Sequence, residues 1–152
     1  MNLVDELHSI AAALRAESIA YAVCGGVAVT IHGATRSTRD IDLLVDAADV
    51  PRILEVLRPL GYLFAALPMT FDAGTERERR VQRVSKMVDD EHLIVDLLLT
   101  EAAFRGMLED RIVVDLPQGP LAVASRATLV RMKRLAGRAQ DLADLEKLGE
   151  GE

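Results

Sequence analysis

Asp40 and Asp42 stand on either side of Ile41 at the head of an apolar, partly β-branched run that ends at Val45. In a strand, alternate side chains point to one face, so the two carboxylates project together. Adjacent anions repel and, on a buried face, raise each other's pKa; a bound divalent cation is the natural reason to keep them side by side. The other reading is that one of the two faces solvent at a strand end. Carboxylate oxygens are hard ligands, and the scattered His8, His32 and His92 offer no zinc set, so the implied ion is Mg²⁺ or Mn²⁺. Asp96 lies between Leu93-Ile94-Val95 and Leu97-Leu98-Leu99. An isolated ionised carboxylate there costs several kcal/mol, roughly, unless a cation or hydrogen bonds compensate it. Gly25-Gly26 ends another apolar run and opens a helix, where missing Cβ atoms and free N–H groups let a backbone approach a phosphate; a plain tight turn is the competing reading.

Several elements have to position these residues. Leu3, Leu7, Ile10, Ala11 and Leu14 recur at helical spacing and predict an amphipathic helix that ends near Glu17. Ile19 to Cys24 reads as a buried strand, Val27 to His32 as a short helix closed by Gly33, and Ala34 to Arg39 as a loop feeding the strand Ile41 to Val45. Asp49, Pro51 and Gly61 bracket a helix over about 49–60. Tyr62 to Phe71 carries no clear period, and Asp72 to Glu78 reads as a loop. Val81 to Val88 and Leu93 to Leu99 form a hairpin pattern, and Ile112 to Leu116 with Leu121 to Ala124 form a second, across Pro117-Gln118-Gly119-Pro120. Ser125 is placed to cap a helix through Ala136, and Gln140 to Leu148 supplies a last one. Strands, hairpins and helices in this mixture predict an α/β fold with a mixed sheet, as one domain over residues 1–152.

Composition narrows the function. The formal net charge of −6 provides no general basic field for a polyanion, which makes extended duplex binding an unfavourable reading. The run Glu76 to Arg83 is a solvated loop or edge strand on the plain reading, and its Arg77, Arg79, Arg80 and Arg83 are the local candidates for a phosphate-bearing acceptor. Cys24 is the only cysteine, so an intrachain disulfide is excluded; on an apolar strand it reads as core. No apolar stretch is long enough to span a membrane, and the first residues lack a secretory pattern, which leads us to expect a soluble, cytoplasmic protein with no membrane partner. Three Phe and two Tyr give no base-stacking platform. Walker, dinucleotide and Gly-x-Ser-x-Gly motifs do not occur.

Tyr21-Ala22-Val23-Cys24-Gly25-Gly26, followed by Asp40-Ile41-Asp42-Leu43 and later by Val95-Asp96-Leu97, resembles the signature of the polymerase-beta-type nucleotidyltransferase superfamily. His32 to Arg39 and the tail Lys133 to Asp144 resemble a bacterial branch that includes abortive-infection nucleotidyltransferases of toxin–antitoxin systems. The likeness extends from Tyr21 to Leu148 and implies a nucleotidyltransferase-like mixed β-sheet packed with α-helices. It further implies Mg²⁺-dependent transfer of an NMP group from NTP to a hydroxyl of RNA, protein or a small molecule. Asp40, Asp42 and Asp96 would be the metal ligands, with Asp96 also helping to deprotonate the nucleophile; Gly25 and Gly26 would cradle phosphates, and Arg36, Ser37, Thr38 and Lys133 would contact the nucleotide. Lys133, a helical lysine among apolar neighbours, otherwise reaches out to solvent. A different class of function remains open: a non-catalytic relative that binds nucleotide or a cognate antitoxin or toxin protein.

Overall fold

The structure, a computed structural model, describes residues 2–34 and 38–150. Helix α1 (Leu3–Ala16) starts where the Asn2 side chain accepts from the Val4 and Asp5 N–H groups, and it buries Leu7, Ile10, Ala11 and Leu14. Strand β1 (Tyr21–Cys24) runs directly into α2 (Gly25–Ile31), so the glycine pair expected to turn the chain before the helix instead forms its first turn. Strand β2 (Asp40–Val45) starts at Asp40 itself. The helix expected over about 49–60 is divided into a 3-10 turn (Ala47–Asp49), α3 (Val50–Leu57) and a second 3-10 turn (Arg58–Leu60). Pro59, which has no N–H to donate, sits where the α-helical ladder stops, and Gly61 closes the segment at φ 99°.

The segment without a clear period holds two short strands, β3 (Phe64–Ala65) and β4 (Met69–Phe71). The hairpin follows as β5 (Arg79–Val88) and β6 (Glu91–Leu99), then the second hairpin as β7 (Ile112–Leu116) and β8 (Gly119–Val123). Helix α4 (Arg126–Ala136) has Ser125 as its cap, accepting from the Thr128 N–H, and ends at the left-handed Gly137; α5 (Ala139–Lys147) follows. Among the described residues the strands form one sheet in the order β3-β5-β6-β2-β1-β8-β7, with β4 also on β5. The pairs β2·β6 and β1·β8 are parallel and the rest antiparallel, so the sheet is mixed as the sequence predicts.

The period of two sorts the strands between two cores. Ile41, Leu43, Val45, Val95 and Leu97 face the larger core under α1 and α3, with Leu7, Leu14, Ile53 and Leu57. Ala22, Cys24 and Leu44 face the smaller core with Phe104, Met107 and Met132 of the α4 side. Asp40 and Asp42 share a strand face with Leu44, and thus open toward this smaller core. No helix among the described residues is long and apolar enough to cross a membrane.

Candidate active site

Asp42 and Asp96 are direct neighbours across the parallel β2·β6 pair, and Asp40 lies two residues along β2 on the same face. Adjacent strands are about 4.8 Å apart, so register alone gathers three carboxylates at one edge of the smaller core. On the other flank, Cys24 at the end of β1 pairs with Asp42, and the chain passes into Gly25 at φ 65°. A Cβ at Gly25 would stand 2.0 Å from Oδ2 of Asp42. The glycine is therefore required twice, by its left-handed backbone and by the carboxylate lying against it.

Burial pushes the Asp42 carboxyl up to about 7, reinforced by the charges of Asp96 and Asp40 and opposed by Lys133 and Arg138. Asp96 has found a partner. Arg83, its register neighbour on β5, donates from Nε to Oδ1 at 2.8 Å and from Nη2 to Oδ2 at 3.0 Å. This fork holds the Arg83 guanidinium more firmly protonated than an ordinary arginine. Among the described residues no three His, Cys, Asp or Glu side chains close into a metal cluster, and Arg83 is the cation that Asp96 faces. A carboxylate has about four lone-pair sites, so a two-pronged arginine leaves one on each oxygen. Three hard carboxylates on one sheet face, an Asp42 carboxyl raised by burial and then by its two acidic neighbours, and a Cβ-free surface beside it fit a divalent cation.

A cleft of about 400 Å³ opens over these residues, lined also by Gly26, Thr38, Arg79, Lys133 and Arg138. Thr38 donates from Oγ1 to the Asp40 carbonyl at 3.3 Å, while Arg36 and Ser37 lie outside the described residues. Lys133 does not extend to solvent: it is buried, 2.8 Å from Asp144 and 3.3 Å from Asp141. Arg138 joins the group, its Nε donating to Asp141 Oδ2 at 2.7 Å, which helps hold the Asp141 carboxyl below its usual range against the effect of burial. These contacts tie α4 to α5 and set Lys133 on the cleft wall.

The arginine-rich run does not act as one cluster. Arg77 donates to the Arg134 and Leu135 carbonyls at the end of α4, and Arg80 is held by Glu78 and Glu101 at 3.0 Å each. Arg79 and Arg83, four residues apart on one face of β5, line the cleft. Cys24 is fully buried, and burial followed by the Asp42 charge raises its thiol pKa well above the usual value, as a core residue requires. His32 caps the end of α2, its Nε2 lying 2.9 Å from the Ala124 carbonyl.

Over residues 1–133 the chain matches a family described as uncharacterised nucleotidyltransferases. It belongs to that family. No curated protein sequence matches it. Among solved structures it resembles a candidate nucleotidyltransferase of Thermotoga maritima, with 16% identity, a TM-score of 0.66, and 95% of this chain and 90% of that one covered. The lincosamide antibiotic adenylyltransferase LnuA, bound to lincomycin, shares 16% identity at a TM-score of 0.57 over 95% of both chains. ANT(2")-Ia in complex with adenylyl-2"-tobramycin shares 14% identity at a TM-score of 0.57, over 95% of this chain and 86% of that one. At such identities the likeness establishes the fold, which is the nucleotidyltransferase fold that the glycine pair and the carboxylates imply. The family membership makes the chain a nucleotidyltransferase.

Proposed function

We propose that the chain transfers an NMP group from an NTP to a hydroxyl of a small molecule, with Mg²⁺ or Mn²⁺ held by Asp40, Asp42 and Asp96. The observation that carries this reading is the convergence of those three carboxylates on one sheet face beside a glycine that Asp42 itself forbids to change. When bound, the cation supplies a Lewis acid that offsets phosphate charge. Asp96 uses its remaining lone pairs to accept the proton of the attacking hydroxyl, while Arg83 fixes its plane. The bond from α-phosphorus to the acceptor oxygen forms as the bond to pyrophosphate breaks, and pyrophosphate leaves with the electron pair. Gly25 and Gly26 bring backbone N–H groups to the phosphates. Lys133 directs to them the ammonium hydrogen that Asp141 and Asp144 leave over, and Thr38 borders the same space.

Two features support a small-molecule acceptor over RNA: the net charge of −6, and the lincomycin and adenylyl-tobramycin named in the two antibiotic adenylyltransferase structures. Calorimetric titration of Mg²⁺ with an α,β-methylene NTP into the wild type and Asp42→Asn tests the reading. Binding that requires both the metal and Asp42 supports it. A folded wild type that takes up no nucleotide sinks it, and would favour a non-catalytic relative that binds a cognate toxin or antitoxin.

A further inference from the structure

Transfer at phosphorus places the attacking hydroxyl opposite the leaving pyrophosphate. On the nucleotidyl-transfer reading above, the pyrophosphate lies by Gly25-Gly26, after β1, and by Lys133 on α4, which packs against α2. The sheet continues from β1 through β2 and β6 to β5 and β4. The acceptor therefore enters over β5 and β4, a half of the cleft walled by Met69, Phe71 and Val81, with Arg79 among them.

Arg79 is unusual there. It is only 9% exposed, Nη2 donates to Asp72 Oδ2 at 2.7 Å, and the guanidinium carbon lies 5.7 Å from the centre of the Phe71 ring. Its Nε–H is buried and has no acceptor among the described residues. An orphaned donor in a buried guanidinium costs free energy unless a ligand oxygen meets it. The acids lining the cleft are already engaged: Asp40, Asp42 and Asp96 belong to the metal site, and Asp141 to Lys133 and Arg138. None is left to receive a cationic acceptor, and residues 35–37 add none.

We infer that the acceptor is an uncharged or anionic hydroxyl compound with an apolar body, seated on Met69, Phe71 and Val81 and presenting an oxygen to Nε of Arg79. A polyamine sugar of the tobramycin kind is disfavoured by the same inventory. Phe71, 45% exposed on the wall, supplies the apolar surface such a body covers.

The test uses the whole chain saturated with Mg²⁺ and an α,β-methylene NTP, so nucleotide binding is measured first and separately. Phenylalkanols ending in a carboxylate, a primary amide or an ammonium group are then titrated while the Arg79 Nε–H resonance is followed by NMR. The expected result is that carboxylate and amide compounds bind and shift that resonance, ammonium compounds bind more weakly, and Arg79→Gln weakens the first two about tenfold or more. Preference for ammonium, an unmoved Nε–H on binding, or a nucleotide-loaded protein that binds none of them overturns the acceptor assignment. Failure to load nucleotide overturns the nucleotidyl-transfer reading beneath it. The resonance is read in the unmutated protein, so the test stands even if Arg79→Gln does not fold.

Discussion

Asp42→Asn should change how stability depends on pH, because the wild-type carboxyl is pushed from 3.8 up to about 7 by burial and by its two acidic neighbours. The folded state thus holds the Asp42 proton more tightly than the unfolded chain does. Between about pH 4 and pH 7 the native protein binds more protons, so its stability falls as pH rises, with the loss complete above the folded pKa. A displacement of about three units at roughly 1.4 kcal/mol each makes this loss on the order of 4 kcal/mol for the metal-free protein. Urea unfolding of wild type and Asp42→Asn in a chelating buffer, at steps from pH 4 to pH 8, reads it out. The difference between the two proteins cancels the titrating groups that do not interact with Asp42, and it should grow in favour of the mutant as pH rises. Saturating Mg²⁺ should abolish the wild-type decline, since a cation bound only by the native site adds stability by mass action. A pH-independent difference, or one that grows in favour of the wild type in chelator, would refute the view that Asp42 is buried beside two other acids without enough positive charge to hold it ionised.

Gly25→Ala should cost about 1–2 kcal/mol from the left-handed backbone alone, and more from the collision with Asp42, and should abolish metal-dependent nucleotide binding; denaturant unfolding and calorimetry check both. Asp96→Asn should eliminate transfer yet lower stability by only about 1 kcal/mol, because the Arg83 side chain it deserts is 40% exposed and can turn to water. A loss of 3–5 kcal/mol would identify a purely structural pair. Lys133→Met should cost about 3–5 kcal/mol, since Asp144 and Asp141 are buried against its ammonium group, and activity in that variant must be compared at equal folded fraction by circular dichroism.

The residues that were legible in the sequence are those whose setting is local. The alternation Asp40-Ile41-Asp42 fixes two carboxylates on one face without knowledge of any partner strand, and Asp96 is conspicuous because its six nearest neighbours are aliphatic. Ser125 and Gly137 mark the ends of α4 through the backbone groups they satisfy. What pairs with what was not legible. Arg83 meets Asp96 only because the β5·β6 register sets them opposite one another, and in the sequence it is one arginine of a charged run. Its neighbours on that run separate by strand face, so Arg79 enters the cleft while Arg80 goes to Glu78 and Glu101. Lys133 reads as a helical lysine free to reach solvent, since the turn at Gly137 that folds Asp141 and Asp144 back onto it is a tertiary fact. Arg79 stands out in the sequence only as one of four candidate arginines, without a sign of which two reach the cleft, and the tail quoted for its family likeness holds the only signal for Arg138. Gly25 shows the reverse case, a turn residue by type whose necessity comes from the Asp42 side chain beside it.

On the proposed function, this carboxylate site moves the NMP portion of an NTP to a hydroxyl. That transfer is tested most directly by parallel incubations with α-labelled and γ-labelled NTPs, Mg²⁺ and a cell extract resolved into small-molecule, RNA and protein fractions. α-Label alone should appear on a small-molecule product and the γ-label should be released as pyrophosphate, and Asp42→Asn should do neither. Transfer of the γ-label to the product, or α-label transfer by Asp42→Asn equal to that of the wild type, would contradict the proposed function.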